Sequence, residues 1–307
     1  MPNCTDCNRY VASESVHPCG ESPLCRSCAE RDRVCEDCGR TRTRYYMRSD
    51  DGDVLCGDCH TARTTWQAKR LNGDTTYENL TSRRRFGIEL ETSACPNYRS
   101  LKDQTLFGAK FDCSVQGMEF VSPILFGDAG LKEVEDICAH AARLDFKVDG
   151  DCGYHLHVDM SETTLTQRRR VAYAYLLTYP LWISFVNSFR AHDCTYCTAP
   201  RTGADMVRTC EDLDYELAGT SRYAFINLSA YDKHRTFEIR GYEGTLDYDE
   251  IATWIQAHLQ FVDYVAELDF DTIDDLFSCA GAWENLLDIL PDGVAQLHGF
   301  RPVEVTV

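Results

Sequence analysis

Apolar and polar positions alternate with a period of two over residues 86–92, 117–122, 153–160, 223–230 and 235–241. This spacing predicts strands, the last two forming a hairpin joined through 231–234. A period near 3.6 runs over 128–144, where Leu131, Val134, Ile137, Cys138 and Ala141 share one helical face. It recurs over 247–268 through Ile251, Ile255, Leu259, Val262 and Ala266. Residues 163–190 read as a long helix, strongly apolar over 176–189, that Pro180 kinks or breaks. A last helix is expected over 281–290 and a short one over 62–71. Antiparallel strands with helices on one side give an α+β fold.

Three of these strands carry a charged–apolar–charged triplet: Glu89-Leu90-Glu91, His155-Leu156-His157 and Glu238-Ile239-Arg240. A strand turns successive side chains to opposite faces, so each triplet aims both polar groups one way. Three such strands side by side would pave one sheet face with carboxylates, imidazoles and a guanidinium. That face cannot be a hydrophobic core. It suits divalent cations, which take oxygen ligands and share them with phosphates. Glu119 would sit on a neighbouring strand, with Asp112 and Ser114 just upstream as further polar groups. Taken singly, each triplet has a plainer reading: a solvated strand face, packed histidines, or a surface cross-strand pair.

The chain has 307 residues, which suggests two domains, and its composition changes near residue 60. Residues 1–60 are expected to form a small zinc-binding domain, 61–82 a linker and 83–307 the catalytic domain. The first of these holds four Cys-x2-Cys pairs: Cys4 and Cys7, Cys25 and Cys28, Cys35 and Cys38, Cys56 and Cys59. Seventeen residues separate the first pair from the second and the third from the fourth, so the unit repeats every 31 residues. Knuckles at this spacing are the ligand pattern of tetrahedral zinc. Sequential pairing puts four cysteines on each ion, with an interleaved arrangement as the other choice. His17, Cys19 and His60 lie close by and read as surface residues. So few large apolar side chains cannot fold this segment on a core alone, and metal would supply the free energy. Arg40, Arg42, Arg44 and Arg48 beside Tyr45 and Tyr46 suit either an acidic partner or a solvated strand face.

Charge narrows the partners. A formal charge of −18 repels nucleic acid and anionic membrane. The sequence has no run of about eighteen apolar residues and opens without the basic and apolar regions of a secretory signal, so a cytoplasmic protein is expected. That also disfavours disulfides. Neither a G-x-G-x-x-G nor a P-loop motif occurs. Cys194-Thr195-Tyr196-Cys197, with His192 and Cys210, reads as a structural loop, a substrate-pocket wall or a further metal or redox site. Cys95, Cys113, Cys138, Cys152 and Cys279 read as small buried apolar residues.

Four stretches, in order, resemble the amidoligase family, which is similar in fold and site plan to glutamine synthetase and glutamate–cysteine ligase. They are Phe86-Gly87-Ile88-Glu89-Leu90-Glu91, Asp112-x-Ser114-x-x-Gly117-x-Glu119-x-x-Ser122-Pro123 and Cys152-Gly153-Tyr154-His155-Leu156-His157-Val158-Asp159. The fourth combines Arg222-Tyr223, Asn227, Thr236-Phe237-Glu238-Ile239-Arg240 and Gly244-Thr245-Leu246-Asp247. The resemblance covers about residues 84–265 and leaves the zinc knuckles outside. It implies a glutamine synthetase-like antiparallel sheet and an ATP-dependent carboxylate–amine ligase that works through an acyl phosphate. Carried over by residue, Glu89, Glu91, Glu119 and Glu238 match metal ligands, and His155 or His157 the histidine of the metal site. Arg240 matches the phosphate-contacting arginine, and Asn227 a substrate or nucleotide contact. The implied cofactors are ATP and Mg²⁺ or Mn²⁺, beside structural Zn²⁺. The carboxylate and amine substrates stay open, a protein or peptide among them. Two other readings are a metal-dependent hydrolase using the histidines and carboxylates, and a zinc-knuckle interaction protein with an inert ligase domain.

The duplicated knuckles predict about two zinc ions per chain, both within the first 60 residues. Elemental analysis of freshly purified, never-chelated protein checks this, and zero zinc rejects it. Chelation should unfold the N-terminal segment and leave residues 84–307 folded on their own core.

Overall fold

The computed structural model describes residues 65–111, 115–187, 189–190, 194–210 and 221–297, with 33–34, 36, 41–42, 46–48, 54–56 and 59 of the N-terminal segment. In that segment β1 (Arg33–Val34) pairs antiparallel with β2 (Thr41–Arg42), and β3 (Tyr46–Arg48) with β4 (Val54–Cys56). The chain between β1 and β2 therefore carries Cys35-x2-Cys38, and β4 runs into Cys56-x2-Cys59. Cys4, Cys7, Cys25, Cys28, Cys35 and Cys38 lie outside the described residues. So do His17, Cys19, His60, Asp112, Cys113, Ser114 and His192.

Six strands form the main sheet: β5 (Phe86–Glu91), β6 (Gly108–Lys110), β7 (Glu119–Val121), β8 (Gly153–Asp159), β9 (Ile226–Asn227) and β10 (Thr236–Glu243). Their order is β6-β7-β5-β8-β10-β9, with every neighbouring pair antiparallel. The period-two pattern decides which face is core. Phe86, Ile88 and Leu90 of β5, Tyr154, Leu156 and Val158 of β8, and Phe237 and Ile239 of β10 are all buried in one hydrophobic cluster. The apolar faces of the long helices α1 (Gly127–Arg143), α2 (Leu165–Trp182) and α5 (Tyr248–Glu267) belong to the same cluster. Shorter helices are α3 (Ala204–Thr209), α4 (Ala230–His234), α6 (Phe270–Phe277) and α7 (Ala282–Ile289). The α+β reading therefore holds. No described helix is long and apolar enough to cross a membrane.

Helix ends follow local chemistry. Thr164 and Gln167 form a reciprocal capping box on α2, and the Asp247 carboxylate accepts from Asp249 and Glu250 N–H at the start of α5. The predicted helix over 163–190 is corrected. α2 contains Pro180 but ends at Trp182, and a 3₁₀ turn covers Ile183–Phe185. Proline removes one backbone donor and its ring crowds the carbonyl four residues back, so the helix does not run far beyond it. The predicted strand over 223–230 shrinks to β9. It pairs with β10 as expected, but α4 makes the connection, closed by Arg235 in the left-handed region at φ 58°.

The helix predicted over 62–71 is not present in its described part, and residues of 65–82 bond to the sheet and to α1. Trp66 bridges Ala109 in an antiparallel pair, donates its indole N–H to the Phe107 carbonyl at 2.8 Å and stacks on Tyr98. Farther on, this segment caps α1, whose N-cap residue Phe126 supplies no side-chain bond. The Asp128 N–H donates to Thr76 O at 2.9 Å, and the Ala129 N–H to Thr75 Oγ1 at 3.0 Å. In return the Asp128 carboxylate accepts from Thr76 Oγ1 and from the N–H groups of Glu78, Asn79 and Leu80. Gly127 sits at φ 55°, and a Cβ there would meet Thr76 O at 2.6 Å, so the approach requires glycine.

The Thr76 hydroxyl first, and then the Leu80 N–H, draw the Asp128 pKa down to about 2. A carboxylate lowered on folding stabilises above its unfolded pKa of about 4, and that contribution is lost as pH falls through the folded value. Asp128→Ala should raise hydrogen exchange at the Glu78, Asn79 and Leu80 amides at neutral pH. Unchanged protection by exchange mass spectrometry would reject Asp128 as the clamp.

Candidate active site

The face of the sheet opposite the core carries the polar members of the triplets, and strand register sets who meets whom. Glu89 lies opposite His155 across β5 and β8, and Glu91 opposite Glu119 across β5 and β7. His157 lies opposite Glu238 across β8 and β10, and Glu238 opposite Asn227 on β9. Lys110 on β6 lies opposite Glu119. The result is one acidic band across the sheet that gathers Glu89, Glu91, Glu119, His155, His157, Asn227, Glu238 and Arg240.

Both histidines reach the carboxylates. His155 Nδ1 is 3.1 Å from Glu89 Oε2 and 3.7 Å from Glu238 Oε1, while its Nε2 is 3.9 Å from Glu91 Oε1. His157 Nε2 is 3.7 Å from Glu89 Oε1 and 3.9 Å from Glu238 Oε1. Its Nδ1 is 2.9 Å from Thr236 Oγ1, and its buried Nε2 has no hydrogen-bond partner. Glu89, His155 and Glu238 offer ligand atoms all within 4.8 Å of one another. Two carboxylates, an imidazole nitrogen and a second, unpartnered imidazole nitrogen beside them make a donor set that fits a hard or borderline divalent cation.

Supporting bonds hold the acids in place. The Gly153 N–H donates to Glu91 Oε2 at 2.5 Å, and Asn227 Nδ2 to Glu238 Oε2 at 2.6 Å. Ser229 Oγ in turn donates to Asn227 Oδ1 at 2.7 Å. Asn227 thus orients a carboxylate. Arg240 Nη1 pairs with Glu238 Oε1, and the β10 ladder shifts register between Ile239 and Tyr242. On the β9 side the register runs on unbroken, and the Arg240 N–H donates to the Phe225 carbonyl at 2.8 Å.

The electrostatics are uneven. Burial alone would raise the Glu89 pKa, but the His155 hydrogen bond and the charge of the two imidazoles hold it far below the usual carboxylate range. Burial likewise opposes ionisation of Glu238, and Arg240 with the two histidines outweighs it, so its pKa falls. Glu119 goes the other way. Burial first, then the Glu89 charge, push it up to about 9 against the pull of Lys110, so its carboxyl is protonated at neutral pH. Lys110 Nζ, 2.9 Å from Glu119 Oε1 and 3.6 Å from Glu89 Oε1, was not foreseen from sequence. It lies on a three-residue strand too short to show a period. Thr236 and Ser229 were missed for a similar reason: each supports a site residue rather than belonging to a triplet.

A cavity of about 360 Å³ opens at the β5–β8–β10 end, with Glu89 and His157 in its wall beside Gly87, Ile124, His234 and Thr236. At the other end lies the 194–197 loop. Cys194 and Cys197 are buried and Cys210 half-buried. Among the described residues they form no metal-binding group. Burial pushes the Cys197 thiol up to about 12, which removes it as a thiolate nucleophile. Cys138 and Cys152 are buried as expected, whereas Cys95 and Cys279 are only half-buried.

The family described as "Putative amidoligase enzyme" matches residues 94–199 and 190–262, more than half of the chain. No curated protein and no solved structure matches it.

Glu89→Gln and Glu238→Gln keep side-chain shape and remove charge, so each should weaken binding of Mn²⁺ by roughly 10- to 100-fold or more while circular dichroism is unchanged. Mn²⁺ titration followed by electron paramagnetic resonance reads this. Wild-type affinity in both variants would show that these carboxylates hold no cation.

Proposed function

The chain belongs to the amidoligase family, and from that premise we propose that it is an ATP-dependent ligase joining a carboxylate to an amine. The observation that carries the reading is the convergence of four glutamates, two histidines and Arg240 on one sheet face. Such a face attracts cations, and through them a triphosphate, where a bare acidic surface would repel it. Glu89, His155 and Glu238 would hold one divalent ion, with His157 and Glu91 as the neighbouring donors and Glu119 joining them once the cation displaces its proton. When bound, Mg²⁺ or Mn²⁺ supplies charge neutralisation of the phosphates.

The reaction has two steps. A substrate carboxylate oxygen attacks the γ-phosphorus, the bond to the β–γ bridging oxygen breaks, and ADP leaves. The amine nitrogen then attacks the acyl carbon, phosphate departs with the electron pair of the C–O bond, and the amine sheds a proton. Phosphoryl transfer needs positioning and charge stabilisation more than covalent help. Arg240 supplies a fixed positive charge on the metal face, and Asn227 with Ser229 keeps Glu238 turned toward it. The amine or acid can be a small molecule, a protein or a peptide. The N-terminal knuckles would bind zinc for folding and stand apart from this chemistry.

The direct test is ADP release from Mg²⁺-ATP against pools of amino acids and amines, with mass spectrometry of the products. An amide product with matching ADP supports the reading, and activity without nucleotide replaces it with a hydrolase. Arg240→Ala should lower turnover by roughly 10²-fold or more, the typical loss of an electrostatic stabiliser. Arg240→Lys should restore only part, since an ammonium lacks the planar fork. Full activity of Arg240→Ala would remove Arg240 from the phosphoryl-transfer role.

A further inference from the structure

We infer that Arg190 binds an oxyanion of the substrate, a carboxylate or a phosphoryl group, at the Glu91 end of the site. Its exposure is 2%, and it is the only arginine or lysine among the buried polar groups of the described residues. Its guanidinium lies against the site face. Gly153 has no side chain, and a Cβ there would fall 2.1 Å from Arg190 Nη2 and 2.9 Å from His155 Nε2. The absence of a side chain on β8 is therefore what admits a second cation beside the histidine.

The partners of this cation are weak. Nη2 donates to the Cys152 carbonyl at 2.9 Å and Nη1 to Cys194 Sγ at 3.3 Å, a poor acceptor. Nε is buried without a partner. Among the described residues no carboxylate lies within ion-pairing distance of it. Arg240 differs, since it is paired with Glu238. A guanidinium cannot shed its proton, and a buried charge without a counter-charge is strongly disfavoured. Of five N–H groups two are used, which leaves three donors of the planar fork that carboxylate and phosphate fit.

The neighbouring loop supports the same placement. Arg190 holds Cys194 while Arg240 Nε reaches the Tyr196 carbonyl at 3.4 Å, so the turn at 194–197 spans the two guanidiniums. Tyr196 and Tyr223 pack edge to face there and stay partly exposed. The loop reads as a wall of the site with a cation at each end. That the anion belongs to a substrate rests on the ligase reading, whereas the charge and burial of Arg190 do not.

The test is calorimetric titration of full-length protein, in Mg²⁺-free buffer of fixed ionic strength, with inorganic phosphate and separately with acetate. Saturable binding of either anion to wild type is expected, and which of them binds tells phosphoryl from carboxylate. Arg190→Gln should weaken it by roughly 10-fold or more, as loss of a charged hydrogen-bonding partner does, while Arg190→Lys retains part. No saturable binding to wild type, or wild-type affinity in a folded Arg190→Gln, overturns the inference. If Arg190→Gln does not fold, the charge-preserving Arg190→Lys decides by the same titration, and an unchanged affinity there overturns it. No nucleotide enters the experiment, so a missing ADP release would end the ligase reading and leave this result standing.

Discussion

Like charges crowded on one sheet face repel one another, and the six-stranded sheet is arranged around holding them there. Glu89 and Glu238 offer oxygens within 4.8 Å of each other. Two such charges at an effective dielectric of 20 repel by about 3–4 kcal/mol. Several groups offset this. His155 sits between the two carboxylates, His157 faces both, Arg240 pairs with Glu238, and Lys110 bridges toward Glu119. Glu119 shows what happens where compensation is incomplete: its carboxyl keeps its proton. A face in this condition would gain from the proposed divalent cation, because the cation would remove repulsion that the protein's own cations only partly cancel.

Positioning comes from strands rather than loops, which suits chemistry that depends on placement. The acids sit on β5, β7 and β10, the histidines on β8 between β5 and β10, and the hydrogen-bonded ladders fix their spacing. Backbone and side-chain bonds then orient individual groups, as Gly153 does for Glu91 and Asn227 for Glu238. The bulge in β10 is the one irregularity. Without it Tyr242 and Ile239 could not both face the core, where Tyr242 packs edge to face on Tyr154, while Arg240 turns to the site.

What the sequence made legible follows from how far each feature depends on distant residues. Strands β5, β8 and β10 run for six, seven and eight residues and display the full alternation, so their site residues could be read directly. Strands β6 and β9 have three and two residues and exist only as partners in a ladder. Lys110 was invisible for that reason. The burial of Arg190 beside His155 could not be read from sequence, because it depends on the missing side chain of Gly153, far away in sequence. The segment after residue 64 suggested a helix locally, but Trp66 is held by Ala109 and Phe107. Short-range signals succeeded where they were self-sufficient, as in the helices over Gly127–Arg143 and Tyr248–Glu267.

Strand β5 is the part whose place most needs explaining, since it precedes the residues matched to the amidoligase family. It pairs with β7 on one side and β8 on the other, so without it the sheet would divide in two. Its register is set by its other face. Phe86, Ile88 and Leu90 are 2%, 1% and 1% exposed. A slip of one residue would put these three on the acidic face and send Glu89 and Glu91 into the core. Burying each such side chain stabilises by about 1.5–3 kcal/mol, so three together exceed the repulsion met by Glu89. Hydrophobic burial on one face of β5 therefore holds two carboxylates on the other against their own electrostatics, and the proposed cation site inherits its geometry from the core behind it.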